Sequence, residues 1–491
     1  MLARMLGHLS RYSGASLLLT VASIISFPIL TRLFSVEEYG LLSYVGLVLT
    51  MLVGLAKLGM QHAAVRFRSE LEADGQVAVD RYVSTVVFGM ALSGMAVAIF
   101  WAFVSQWIPD AIWNHPLMKP LLLLTCVLVA LRTIESAFVN LLKADERSAA
   151  LGVFSVVRRY VELAAILTTL FFISRSLVGF YIATIIVECL GLLFLIIWFV
   201  KRNRVAPSEF SPALLKTMLV FSIPMIGYEL ASVVLSLGDR YVIQTHLGAA
   251  DLGVYSAAYN LSDYIKIVLV TSVASAVMPV YLRLHAQDGY EATRVFLNHV
   301  LYYYLLVAVP VVLGLLAVGE PLVALVASEK YAPGAEVIPW VMAGMLIDGL
   351  LPIFGAALYI EKRSKFILAV VVVSAIVNIG LNWQLVPSFG ILGAAWATFA
   401  SYLLMLGLAI AGASSLRLSM PWLSFFRFVA AAIVMTWVVL QVNPFAPVTN
   451  LLLQIVVGAI VYGLLTLSLE ATLRRQFPMI VSLAKRRFGL G

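Results

Sequence analysis

Lys57, Arg132 and Lys266 each fall well inside a long run of apolar residues. A charge at that depth in hydrocarbon is costly, and such residues turn toward a protein interior or a water-filled cavity. Together they would line a binding place for an anion. The competing reading pairs two of them locally. Arg132 has Glu135, and Lys266 has Asp263, three residues away on the same helix face. Lys57 has no acid within four residues, so local pairing does not account for it.

Three acids sit as deeply. Glu188, Glu229 and Asp348 lie mid-run with no cation near them in sequence. Burial penalises a charged carboxylate. Each is therefore either a protonated, hydrogen-bonded structural group or a site for a coupling ion, H+ or Na+. Asp239 and Arg240 stand in "LSLGDRYVIQTHLG", at the end of the seventh apolar run, as Arg32 ends the first. They read as an interfacial anchor and salt bridge. The sharper alternative makes Arg32 and Arg240 an outer gate, since a guanidinium binds phosphate oxygens two at a time. Arg158, Arg159 and Glu162 open the fifth run and read as an interfacial ion-pair cluster, or else as a contact in a cytoplasmic vestibule.

The elements that must position these side chains follow from composition. The chain has 491 residues, 62% hydrophobic and 12% charged. Its apolar runs are about twenty residues or longer, enough for a hydrocarbon core of roughly 30 Å. Only helices and closed barrels satisfy their own backbone in lipid, and the alternation of barrel strands is absent. The expectation is an all-α polytopic membrane protein with about fourteen transmembrane helices. Two pairs of runs are separated only by "SVEEYG" and "PSFG", which read as tight hairpins closed by a glycine. Cys126 and Cys189 lie within apolar runs and read as buried free thiols, and no metal-ligand spacing occurs. The basic, then apolar, N-terminus reads as a first membrane helix and not as a removed signal.

Orientation follows from charge. With the N-terminus inside, twenty-three of the thirty-three Lys and Arg fall on inner loops and helix ends, five fall outside, and five lie within spans. By the positive-inside rule both termini are cytoplasmic. The net charge of +8 is then a product of topology, and a nucleic-acid partner is excluded.

The two halves echo each other. "EEYGLLS" (Glu37–Ser43) matches "ADLGVYS" (Ala250–Ser256), placing Gly40 over Gly253. "ADGQVAVDRYV" (Ala73–Val83) resembles "QDGYEATRVF" (Gln287–Phe296), and "DERS" (Asp145–Ser148) resembles "EKRS" (Glu361–Ser364). The three matches keep their order at near-equal separations. They divide the chain into a six-helix lobe at 1–210, a second at 211–415, and two further helices with a basic cytoplasmic tail at 416–491. An even number of helices per repeat makes the lobes parallel, related by a pseudo-twofold along the membrane normal, as in alternating-access transporters with a site between halves.

"FPILTRLFSVEEYGLLS" (Phe27–Ser43), "KLGMQHAAVRF" (Lys57–Phe67), "LGDRYVIQTHLGAADLGVYSAAYNL" (Leu237–Leu261) and "VNIGLNWQLVPSFGILGAAWATFASYL" (Val377–Leu403) resemble polysaccharide transporters of the MOP exporter superfamily, the Wzx-type flippases. The resemblance covers spans one to twelve. It implies two six-helix lobes around a central cavity, and translocation of undecaprenyl-diphosphate-linked oligosaccharide from the cytoplasmic to the outer leaflet of a bacterial inner membrane. It implies surface polysaccharide biosynthesis, O-antigen included, with a polymerase and a chain-length regulator as partners. It implies no cofactor and no enzymatic step. The two extra helices depart from the commonest twelve-helix layout and occur in the lipid II flippase branch.

A diphosphate crossing lipid needs water and cations along its route. On this reading Lys57, Arg132 and Lys266 line the cavity, Arg32 and Arg240 meet the departing diphosphate, and Glu135, Glu188, Glu229, Asp239, Asp263 and Asp348 supply ion pairs or ion coupling. The alternatives are a lipid II or teichoic-acid type of flippase, a drug/cation antiporter, and a membrane polymerase or synthase partner. An antiporter would favour acids in its cavity. An enzyme would need a larger extramembrane loop than "SQWIPDAIWNHPLMK", where only Asp110 and His115 are candidate catalysts. Pro28, Pro224, Pro279, Pro310 and Pro352 interrupt helices and permit bends. Asn378 and Asn382, one turn apart, are expected to join helices by hydrogen bonds. Gly390, Gly393, Ala394, Ala395 and Ala397 read as a surface for close packing.

Overall fold

Apolar runs of this length leave the backbone no partner but itself. In the computed structural model, which describes residues 2–72, 75–108, 115–201, 205–442 and 447–475, the described residues are helical almost throughout and contain no strand. The chain divides into two compact units, Met1–Gly253 and Val254–Gly491.

The first unit holds α1 (Leu2–Leu33), α2 (Val36–Ala56), α3 (Met60–Glu72), α4 (Gln76–Trp107), α5 (Met118–Ala144), α6 (Ser148–Thr168), α7 (Leu177–Val200), α8 (Pro212–Leu237) and α9 (Asp239–His246). A π-helical turn, Thr169–Ile173, continues α6. Its core forms where α3, α4, α5 and α7 meet, around Met60, Tyr82, Met90, Phe138 and Phe199. The Phe138 and Phe199 rings pack edge to face at 5.4 Å.

The "SVEEYG" hairpin closes differently from the expectation. Ser35 caps α2: its hydroxyl accepts from the Glu38 N–H, and the Glu38 carboxylate accepts from the Ser35 N–H at 2.8 Å. Gly40 lies inside the helix, where a Cβ would collide with the backbone of Ala249 and Gly253. A Cβ on Gly253 would collide in the same way with the backbone of Val36. The contact is reciprocal between two glycines that the sequence repeat already superposes.

The apolar run that carries Lys57 does not form one continuous helix. Lys57 caps the C-terminus of α2, Leu58 and Gly59 adopt φ of 49° and 67°, and α3 starts at Met60. A Cβ on Gly59 would lie 2.5 Å from the Ser222 carbonyl oxygen of α8. That helix bends by 45° between Pro212–Ile223 and Met225–Leu237. Breaks in α2 and α8 therefore lie near one another.

The second unit takes the rest of α10 (Ala249–Lys266), a π-helical turn Ile267–Thr271, α11 (Ser272–Val326), α12 (Ile338–Asp348), two short helices α13 (Leu351–Phe354) and α14 (Ala356–Ile360), α15 (Ser364–Gly412), α16 (Trp422–Gln441) and α17 (Pro447–Leu469). The last two pack on α11. Tyr462 donates to the Leu306 carbonyl at 2.9 Å, Thr436 donates to the Leu313 carbonyl at 2.9 Å, and Arg427 meets the buried Glu470 at 3.3 Å.

Among the described residues, ten helices are long and apolar enough to cross a membrane, or eleven with the bent α8, where about fourteen spans were expected. At 1.5 Å per residue α11 and α15 would run roughly 82 Å and 74 Å if straight, more than twice a hydrocarbon core. Both instead turn at a glycine of positive φ, Gly289 at 76° and Gly390 at 60°. For "PSFG" the glycine does close the hairpin. Charge keeps α6 outside the ten, since it carries Arg158, Arg159 and Glu162.

The repeat reappears in the backbone. Gly75 and Gly289, aligned by "ADG" and "QDG", both have positive φ, 90° and 76°. Glu146 and Lys362, aligned by "DERS" and "EKRS", have φ of 55° and 56°, rare for residues with a Cβ. Each ends its helix with the same bonds: Arg147 N–H to the Leu142 carbonyl at 3.0 Å, Arg363 N–H to the Leu358 carbonyl at 2.9 Å.

Candidate functional site

A cavity of about 450 Å³ opens within the first unit. From α5 it takes Arg132, Glu135, Ser136, Val139, Asn140 and Lys143, which recur every three or four residues and so share one face. Thr50, Val53, Gly54 and Lys57 form the matching face of α2, followed by Gln61 of α3. Arg158 of α6 and Glu229 of α8 complete the charged lining. Four cations thus face two carboxylates.

Most of these charges are held by neighbours from other helices. Arg132 does not take Glu135 as its partner. Its guanidinium donates from Nε at 2.9 Å and lies 2.8 Å through Nη2 from Glu188 Oε1 of α7, a residue 1% exposed. Glu135 accepts instead from Arg158 at 2.9 Å, and Arg158 also stands 3.8 Å from Glu188. Arg158 is therefore part of the cavity wall. Its neighbour Arg159 keeps the expected local partner, Glu162, at 3.5 Å. Glu229 accepts from the Gln61 side-chain amide. Lys57 and Lys143 make no ion pair among the described residues.

The remaining candidates lie elsewhere. Lys266 belongs to the second unit. It reaches Asp348 of α12 at 3.0 Å in place of a pairing expected with Asp263, and lies 5.9 Å from the Tyr402 ring centroid. Asp239 and Arg240 are buried at the start of α9, 2% and 4% exposed, and form the expected ion pair, Arg240 Nη1 to Asp239 Oδ1 at 3.9 Å. Asp239 accepts from the Arg240 N–H at 2.8 Å, and Arg240 donates to Ser43 of α2 at 3.1 Å and to the Ser236 carbonyl at 3.3 Å. Arg32 is exposed and donates to the Pro28 carbonyl at 3.0 Å. Asn382 donates to Asn378 of its own helix at 2.8 Å, so that pair is intrahelical. Cys126 is buried and Cys189 exposed, both as free thiols. Asp110 lies outside the described residues. No group of three His, Cys, Asp or Glu side chains that could hold a metal ion occurs among the described residues.

Residues 10–285, more than half of the chain, match the family described as "Polysaccharide biosynthesis protein". The chain belongs to this family. Residues 217–384 also match the MatE family. Among curated proteins it is 25% identical over 255 residues to the probable flippase AglR of Haloferax volcanii, covering 50% of this chain and 52% of that one. It is 23% identical over 202 residues to the probable low-salt glycan biosynthesis flippase Agl15 of the same organism, covering 40% and 43%. The chain thus spans about half the length of the curated relatives it matches. In fold it is similar to the lipid II flippase MurJ in an inward closed conformation, with TM-score 0.77 and 16% identity over 95% of this chain and 99% of that one. It is also similar to an inward-facing multidrug resistance MATE transporter of the MOP superfamily, with TM-score 0.61 and 14% identity over 81% and 98%. The expected MOP-type fold is the fold of this family member.

The register of α5 could have disclosed Lys143, which stands three helical turns from Arg132 on the same face. Arg158 had no such signal, because its partner Glu135 comes from another helix.

Proposed function

We propose that the chain is a flippase that carries undecaprenyl-diphosphate-linked oligosaccharide across the cytoplasmic membrane by alternating access, for surface polysaccharide biosynthesis. One observation carries the reading. The first-unit cavity holds four cations, and two of them, Lys57 and Lys143, make no ion pair among the described residues. A diphosphate entering there finds positive charge that needs no salt bridge broken first. Its carriage costs less in a cationic, wet cavity than in lipid. The family and the names of its relatives support the same reading.

The two carboxylates of the cavity are already engaged by Arg158 and Gln61, which disfavours a site for cationic drugs. Glu229 has an amide partner and no ion pair with a cation among the described residues, which supports the reading that it couples transport to an ion, H+ or Na+. Lys266 with Asp348, and Arg240 with Asp239, serve the conformational cycle. A polymerase and a chain-length regulator act on the delivered product.

The test uses the protein reconstituted in vesicles with a fluorescent polyprenyl-diphosphate oligosaccharide, read by access of an external quencher. Lys57→Ala should lose transport, and Lys57→Arg should keep part of it. Full transport by the alanine variant would sink the reading.

A further inference from the structure

A second space adjoins the cationic cavity and shares one residue with it. A cleft of about 710 Å³ runs between α6 and α7, and Arg158 lines both this cleft and the cavity. The rest of the cleft is almost wholly apolar. Val157, Leu190 and Phe194 on its rim are 56%, 60% and 58% exposed, on a surface that faces lipid in a membrane protein. Phe154 and Phe194 stack across it with centroids 6.3 Å apart. Gly191 makes room at the floor: a Cβ there would lie 3.2 Å from the Arg158 Cδ.

We infer that this cleft holds the isoprenoid tail of the substrate where it leaves the headgroup, with Arg158 as the divider between diphosphate and hydrocarbon. The inference rests on the flippase reading. A polyprenyl lipid poses two opposite demands. Its diphosphate and sugars need a wet, cationic space, and its tail is penalised for every methylene group held in water. The tail must therefore leave the cavity sideways into lipid. The cleft offers an apolar exit that begins at a cavity-lining cation. It adds no hydrophobic driving force over the bilayer itself, because lipid tails are as apolar as its walls. What it contributes is position, fixing the first isoprene units while the headgroup is bound. The guanidinium suits the boundary: its charged end joins Glu135 on the cavity side, and its methylene stem lies against Gly191 on the cleft side.

The test uses full-length protein in vesicles and two photoreactive probes. One is a polyprenyl diphosphate with a diazirine near the head of its tail, and the other is phosphatidylglycerol with a diazirine in an acyl chain. The polyprenyl probe should label segments 149–161 and 187–198 several-fold more than the phospholipid does. Unlabelled polyprenyl diphosphate should compete, and polyprenol, which lacks phosphate, should not. Equal labelling by the two probes would make the cleft a surface for bulk lipid and overturn the inference, as would equal competition by polyprenol. Val157→Trp fills the cleft from an exposed position and should slow transport by roughly tenfold at normal protein level. Ile186→Trp, exposed on α7 outside the cleft, should leave the rate unchanged. An unaltered rate in Val157→Trp also overturns the inference. Failure of the cavity reading itself would show separately, as full activity of Lys57→Ala.

Discussion

Arg132 and Glu188 lie 56 residues apart in the chain and meet at 2.8 Å, the carboxylate 1% exposed and the guanidinium opening onto the cavity. Glu188 is thus the buried counter-charge that holds a cavity cation in place. Glu188→Ala would leave Arg132 without its carboxylate partner and Arg158 with Glu135. Breaking a buried pair costs about 3–5 kcal/mol. The Arg132 side chain is 37% exposed, so screening lowers the expected loss to about 1–3 kcal/mol. Thermal unfolding in detergent measures it, with Glu188→Gln expected to lose less. A Glu188→Ala protein as stable as the parent would contradict the role.

Lys143 shares the cavity with Lys57. Lys143→Ala should slow transport by about tenfold, and Lys143→Glu should slow it further, because it sets a negative charge against the diphosphate. The loss in the double variant Lys57→Ala, Lys143→Ala should differ from the sum of the single losses, since both cations act on one anion. Initial rates in vesicles decide this, and a Lys143→Glu protein at the parental rate would remove Lys143 from the site.

The reciprocal approach of Gly40 and Gly253 predicts matched sensitivity. Backbone cannot yield as a side-chain end can, so Gly40→Ala and Gly253→Ala should each cost about 1–3 kcal/mol. Gly46, also on α2, has nothing within 4 Å of an added Cβ, and Gly46→Ala should stay within about 0.5 kcal/mol of the parent. Melting temperatures of the three variants compare them, and equal values would rule out the close crossing.

Arg240 links α9 to Ser43 of α2, and Asp239 holds its backbone N–H. If this contact closes the outer side, Asp239→Asn and Arg240→Ala should each raise labelling of a cysteine placed in the outer half of α8, by several-fold for a bias of about 1 kcal/mol. Unchanged labelling in both variants would leave the pair a packing feature.

The cation count predicts that a reporter enzyme fused after Arg487 is active only in the cytoplasm. A phosphatase fusion active outside would reverse the assigned orientation.

The sequence by itself determined the helical membrane class, the orientation bias and the repeat, because each is written in local or additive signals. Apolar run length sets the spans. Basic residues set the expected sidedness. "DERS" and "EKRS" announce two helix ends that share one rare backbone conformation at Glu146 and Lys362. Lys57 and Arg132 were also legible, since a cation in a long apolar run needs a cavity. Only the tertiary structure decided the partners. Arg132 could have bonded Glu135 on its own face, yet it reaches α7, and Glu135 turns to Arg158. Lys266 likewise reaches α12. Helical periodicity specifies which residues share a face and is silent on which face of another helix comes to meet it. The break at Lys57–Gly59 escaped for a related reason: the apolar pattern runs through it, and close backbone packing of Gly59 on Ser222 accompanies the turn.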